Sequence, residues 1–153
     1  MEEKKNGHYY FAYGSNMNCV QMDFRCSRAE PVDRAILYGY RFVINERGVA
    51  TIVPDPGSLV LGLVWKVSET DEQMLDSYEG VGAGHYLKTA APVVSTGSDM
   101  TYECLIYLAS NDRPGIPREG YLEGIVEACR ALEFPVGYIS SLESLLVKEH
   151  ICV

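Results

Sequence analysis

Leu59-Val60-Leu61-Gly62-Leu63-Val64-Trp65-Lys66-Val67 is an almost unbroken apolar run. A half-buried strand alternates apolar and polar residues, so a run apolar at both parities reads as a strand buried on both faces. Upstream, Pro54-Asp55-Pro56-Gly57 predicts a turn, because proline fixes φ and glycine closes the bend. That turn separates the run from a short strand over 49–53. Arg34 to Ile44 reads as an earlier strand, bent or bulged at Gly39. Downstream, Thr70-Asp71-Glu72-Gln73 predicts a capping box. It opens a short helix with Met74, Leu75 and Tyr78 on its inner face, stopping at Gly80.

The remaining elements follow the same logic. Residues 8–13 form a first strand, which runs into the turn Gly14-Ser15-Asn16. A short helix follows, with Asn18 as cap and Gln21 three residues on. Tyr86 to Val94 and Met100 to Ala109 predict a hairpin, and Asn111 to Gly120 an irregular loop. Leu122, Ile125, Val126, Cys129 and Leu132 recur at helical spacing, as do Ile139, Leu142, Leu145 and Leu146 after Pro135. Strands in the first two-thirds and helices in the last third predict an α+β fold, with the strands curled into a small barrel. No internal repeat or linker breaks the chain, so residues 1–153 read as one domain.

Composition narrows the partners. A net charge of −8 repels phosphate backbones and anionic lipid, which argues against nucleic acid and membrane surfaces. No run of about 18 apolar residues is present to span a bilayer. The start Met1-Glu2-Glu3-Lys4-Lys5-Asn6 lacks a signal-type apolar segment, which predicts a cytoplasmic location. The five cysteines are scattered without a Cys-x-x-Cys pair, against both a disulfide framework and structural zinc. Cys104 and Cys129 lie in apolar patterns and read as core residues. Cys19 and Cys26 would suit thiol chemistry only with a depressed pKa. An apolar fraction of 47% makes a homodimer reasonable.

Two places carry candidate chemistry. In Tyr10-Phe11-Ala12-Tyr13-Gly14-Ser15-Asn16-Met17, a strand enters a turn whose glycine accepts positive φ and whose asparagine tolerates the left-handed region. N–H groups in such a turn can converge on carboxylate or phosphate oxygens, with Ser15 and Asn16 adding side-chain donors. A plain connecting turn has the same composition. The second place is Glu79, at the C-terminal end of the predicted helix. There the helix dipole and burial both disfavour a carboxylate and push its pKa up, which suits a group that takes and returns a proton near neutrality. A solvated glutamate beside a glycine stop is the plainer alternative. Tyr86 and Tyr121 are credible pocket residues, each joining an apolar ring to a hydroxyl.

Other patterns lead nowhere. Gly80-Val81-Gly82-Ala83-Gly84 follows a helix and precedes a strand, the reverse of a dinucleotide fingerprint. Ser15 lacks the second glycine of a nucleophile elbow. His8, His85 and His150 show no metal spacing, and His85 reads as a strand-edge histidine, with a place flanking a site as the alternative.

Tyr-Phe-Ala-Tyr-Gly-Ser-Asn-Met at 10–17, and Glu79-Gly80-Val81 roughly 65 residues later with Tyr86 beyond, resemble the gamma-glutamylcyclotransferase family. The resemblance extends through Gly48-Val49-Ala50-Thr51-Ile52, Gly62 to Val67 and Phe134-Pro135-Val136-Gly137-Tyr138. It implies a compact α+β fold with a mixed barrel. It also implies that Tyr13, Gly14, Ser15 and Asn16 grip a glutamyl moiety, that Glu79 is the acid/base, and that Tyr86 and Tyr121 line the pocket. The expected reaction cyclises a γ-glutamyl amino acid to 5-oxoproline, with neither metal nor cofactor required. The same cyclisation of a γ-glutamylamine or a protected biosynthetic intermediate is a rival, as is a non-catalytic metabolite-binding module. Arg118 stands where the family commonly has serine, and an arginine there favours an acidic leaving group.

Overall fold

The computed structural model describes residues 8–151, with side chains described through residue 146. Cys152 lies outside the described residues, and the side chain of His150 outside the described side chains. The order is β1 (His8–Ala12), a 3-10 turn (Ser15–Met17), α1 (Cys19–Arg25), β2 (Glu30–Ile44) and β3 (Ala50–Val67). It continues with α2 (Glu69–Glu79), β4 (Tyr86–Ser95), β5 (Thr101–Ala109), α3 (Tyr121–Ala131) and α4 (Val136–Ile151).

The five strands close into a barrel in the order β1-β3-β2-β4-β5. All pairs are antiparallel except β1 with β5, where Tyr9 faces Cys104 and Tyr10 faces Leu105. This parallel seam makes the barrel mixed, and closure leaves no long open edge for another chain to pair with. The apolar run that opens the argument is buried as expected, from Val60 through Trp65. It pairs with β1 on one side and β2 on the other, with Phe11 opposite Val64 and Ala35 opposite Gly62. A Cβ on Gly62 would lie 2.7 Å from the Phe11 ring and collide with the Ala12 carbonyl, so only glycine lets β1 approach here.

Three local expectations are corrected. Pro54-Asp55-Pro56-Gly57 does not end a strand: β3 runs straight through it as one element. Tyr40 pairs with Pro54 and Tyr38 with Leu59, so Gly39 alone stands across from residues 55–58. The prolines are thus tolerated in a bulge where the ladder is already interrupted, and Gly39 takes a φ of 87° there. The helix cap is Ser68, not Thr70: Ser68 Oγ accepts from the Asp71 N–H while Asp71 Oδ2 accepts from the Ser68 N–H. Of the three inward residues proposed for that helix, only Leu75 is buried; Met74 and Tyr78 are exposed.

Helices α3 and α4 pack against each other and the barrel through Leu122, Ile125, Cys129, Ile139 and Leu142. Leu122, Ile125 and Cys129 recur at helical spacing on one buried face, and each large apolar side chain so buried contributes roughly 1.5–3 kcal/mol. The loop before α3 is tied to the tip of the β2–β3 hairpin. Gly115 N–H donates to the Ile44 carbonyl at 2.8 Å and Arg118 N–H to the Gly48 carbonyl at 3.0 Å. Buried Asn45 adds a bond from its Nδ2 to the Asn111 carbonyl at 2.8 Å. Among the described residues no helix is long and apolar enough to cross a membrane.

Candidate active site

Chain segments far apart in sequence meet at one end of the barrel. A small inner chamber of about 40 Å³ is lined by Tyr10, Tyr13, Gly14, Ser15, Asn16, Ala50, Glu79, Tyr86, Tyr107 and Tyr121. A wider vestibule of about 470 Å³ adjoins it, sharing Ser15, Glu79, Tyr86 and Tyr121. All seven residues singled out by sequence therefore line the inner chamber.

The turn after β1 differs from its expected conformation while keeping its expected place. Gly14 has φ of −121°, not a positive value, and Asn16 lies in the 3-10 turn rather than the left-handed region. Space does not require glycine either: an added Cβ would make ordinary contacts, 3.5 Å from Ala50 Cβ and 3.8 Å from the Tyr121 hydroxyl. Ser15 and Asn16 open the 3-10 turn, and their N–H groups have no partner within it. The Asn16 side chain is engaged inward, donating to Tyr10 Oη at 2.9 Å and accepting from Arg25 Nη1. Its carbonyl accepts from Trp65 Nε1 at 3.0 Å, which pins the turn to β3.

Helix α2 ends at Glu79 because Gly80 takes the left-handed C-cap, with φ of 68°. Gly80 also packs on His85, whose ring carbon would be 2.7 Å from an added Cβ. The carboxylate is half-buried and, among the described residues, takes no hydrogen bond. Burial raises its pKa to about 7, against a smaller downward pull from Arg25.

Tyrosines wall the chamber. Tyr13 donates to the Tyr107 carbonyl at 2.7 Å, and Tyr107 in turn donates to Asp76 Oδ1 at 2.7 Å. Two others grip a single residue of β3: Tyr86 donates to the Ala50 carbonyl at 2.7 Å, and Tyr121 accepts from the Ala50 N–H at 3.0 Å. Burial pushes the phenols of Tyr10, Tyr13, Tyr86, Tyr107 and Tyr121 above their ordinary range. They stay neutral at the pH where Glu79 titrates.

Sequence reasoning missed Tyr10, Tyr107, Arg25 and Arg47. Arg25 closes the short helix α1, with its guanidinium 4.4 Å from the centre of the Tyr78 ring. The position of an arginine in the last turn of a helix was a signal, though of the dipole rather than of a site. His85 lines the vestibule and His8 pairs with Glu72 at 2.6 Å. Among the described residues no three His, Cys, Asp or Glu side chains group as metal ligands. Cys26 is buried, its thiol pushed up to about 11, which removes the thiolate that redox chemistry would need. Cys104 and Cys129 are core residues with thiols pushed up to about 12.

The model of the AIG2-like family matches residues 59–142. A Mus musculus protein named gamma-glutamylcyclotransferase is 30% identical over 151 residues, covering 92% of this chain and 80% of its own. The Homo sapiens protein of the same name is 29% identical over 147 residues, covering 89% and 77%. A solved structure described as a gamma-glutamyl cyclotransferase superposes with a TM-score of 0.83 at 27% identity, covering 90% of this chain and 86% of that one. The closed five-stranded mixed barrel with its four helices is thus the architecture of gamma-glutamylcyclotransferase structures. The chain belongs to the AIG2-like, gamma-glutamylcyclotransferase family. Its relatives support an enzyme of cyclotransferase type.

Proposed function

We propose that the protein cyclises a γ-glutamyl amino acid to 5-oxoproline and releases the free amino acid. The substrate carries an α-ammonium and a γ-carbonyl on one short chain. Once the ammonium loses a proton, its nitrogen attacks the γ-carbonyl carbon and a five-membered ring closes. The ring nitrogen sheds a second proton, the bond from that carbon to the leaving nitrogen breaks, and the leaving nitrogen takes up two protons to depart as an ammonium. One carboxyl can serve these transfers in turn, because each proton taken from the attacking nitrogen is returned to the leaving one. A pKa of about 7 lets Glu79 do either near neutrality.

The observation that carries this reading is the Glu79 carboxyl, unpaired among the described residues, at the junction of the two cavities. The N–H groups that open the Ser15–Met17 turn suit the substrate's α-carboxylate or the oxyanion of the tetrahedral intermediate. Tyr13, Tyr86 and Tyr121 would hold the glutamyl chain folded, and good orientation of this kind is worth up to roughly 7–11 kcal/mol. Metal or organic cofactor has no part in this scheme.

The test is release of 5-oxoproline, followed by mass spectrometry, from γ-glutamyl amino acids, γ-glutamylamines and glutathione. Glu79→Gln keeps the shape and removes the base, so kcat falls by about a hundredfold or more. Retention of more than about a tenth of kcat sinks the assignment. Saturable binding without turnover by the unaltered protein would replace it with a metabolite-binding role.

A further inference from the structure

The Ser15–Met17 turn and the end of α2 lie far apart in the sequence and, among the described residues, share no backbone hydrogen bond. One side chain reaches both. Arg25 closes α1 and stands half-buried in the vestibule wall. Toward the turn, its Nη1 donates to Asn16 Oδ1 and approaches Ser15 Oγ at 3.5 Å. Toward the helix end, its guanidinium carbon lies 4.4 Å from the centre of the ring of Tyr78, the residue before Glu79. A planar guanidinium can do both at once, bonding through its edge and stacking through its face. The thiol of Cys26 also ties α1 to α2, donating to the Asp71 carbonyl at 3.4 Å, but near the opposite end of α2.

Arg25 also sets the charge felt by Glu79. The chamber presents the phenols of Tyr10, Tyr13, Tyr86, Tyr107 and Tyr121, and the vestibule presents His85, Arg47 and Arg118. Asp76, on the same helix as Glu79, is paired with Lys88 and takes the Tyr107 hydroxyl bond. Among all these groups, it is Arg25 whose charge pulls the Glu79 carboxyl down against burial. Yet no ion pair joins the two among the described residues. A paired carboxylate would be locked in its ionised form. An unpaired one beside a permanent positive charge can shed its proton and still take one up.

We infer that Arg25 is a positioning residue for the proposed cyclisation: one guanidinium holds the substrate-binding turn against the helix end that presents Glu79, and fixes the charge beside that base. The inference rests on the cyclisation reading for the roles of the turn and of Glu79. Substitution separates its two parts. Lysine keeps the charge but, as a point charge on a flexible stem, cannot fork and stack together. Glutamine removes both charge and fork.

Two readouts test it. The first needs no turnover: Glu79 is titrated by carbon NMR of protein labelled at the glutamate carboxyl carbon, with Glu79→Gln marking its signal. Arg25→Gln should move that midpoint up by about half a pH unit or more, and Arg25→Lys should leave it within about 0.2 unit of the parent. The second is release of 5-oxoproline from γ-glutamylalanine as a function of pH. The acid limb of kcat/KM should move as the midpoint does, because it reports the base of the free protein. KM should rise about threefold or more in both Arg25 variants and in Tyr78→Leu, which removes the stack and leaves Arg25 and Glu79 in place. In the Arg25→Gln background, Tyr78→Leu should cost nothing further.

An unmoved Glu79 midpoint in Arg25→Gln, or a parental KM in Arg25→Lys, overturns the inference. So does a lower kcat with parental KM and acid limb, the mark of an arginine that only supports the fold. If Arg25→Gln does not fold, the other two variants decide, and a parental KM in both overturns it. No release by the unaltered protein, with the midpoint shift intact, would end the cyclisation and leave Arg25 as the residue that sets the charge of Glu79.

Discussion

The inner chamber and the vestibule share four residues and are built on different plans. In the chamber, side chains bond the barrel's own backbone: Tyr13 to Tyr107, Tyr86 and Tyr121 to Ala50. Such groups cannot move without breaking buried hydrogen bonds, which holds the geometry around Glu79 fixed. The vestibule adds connections to the faces of α1, α2 and α3, namely the hairpin tip with Arg47, the turn before β4 with His85, and the loop carrying Arg118. Loops on a rigid scaffold tolerate substitution, so the two regions differ in their freedom to change.

By that contrast, truncation in the chamber damages the fold and truncation in the vestibule does not. The largest effect is expected from Asn16→Ala. It strips a partner from both the Arg25 guanidinium and the buried Tyr10 hydroxyl, at about 2–4 kcal/mol. Urea denaturation should show it as a lower midpoint with an unchanged m-value, and a loss below about 1 kcal/mol would mean the turn is not pinned as described.

A second expectation concerns pH. Burial raises the Glu79 carboxyl from its ordinary 4.5 to about 7, so the fold favours the protonated form. Stability from this group is fully present below about pH 4.5 and is lost as pH climbs through 7. Glutamine stays neutral, so Glu79→Gln should gain on the parent as pH rises, by up to about 3 kcal/mol at pH 8.5. Denaturation curves for the two proteins at pH 5 and pH 8.5 measure it. A constant gap across that range would show that Glu79 is well solvated.

The smallest effect belongs to the vestibule. Arg118 is exposed, and its backbone bond to Gly48 survives any side chain, so Arg118→Gln should change stability by less than about 0.5 kcal/mol. A thermal midpoint lowered as far as that of Asn16→Ala would erase the distinction between the two regions.

What could be read from the sequence follows the range of the interactions involved. Glu79 was legible because its helix end is written locally, by the glycine that follows it. The Leu59–Val67 strand and the β4–β5 hairpin were legible from composition alone. Residues 54–57 were misread because turn chemistry is also local, whereas the bulge that absorbs them depends on Gly39 in another strand. Gly14 lines the chamber without the positive φ expected of it, because it leads into a 3-10 turn. Tyr10 and Tyr107 were hidden among eleven tyrosines. The placement of Arg47 was invisible because its partner Arg118 lies 71 residues on.

The ties between the loop before α3 and the hairpin tip set a rule for exchanging these loops among relatives. Gly115 and Arg118 dock by their backbones on Ile44 and Gly48, while Asn45 reaches across to Asn111. A donor loop inserted at 111–120 alone would arrive without the surface that shapes it. The exchangeable module is bipartite, residues 44–49 together with 111–120, and chimaeras should be cut at those two pairs of boundaries.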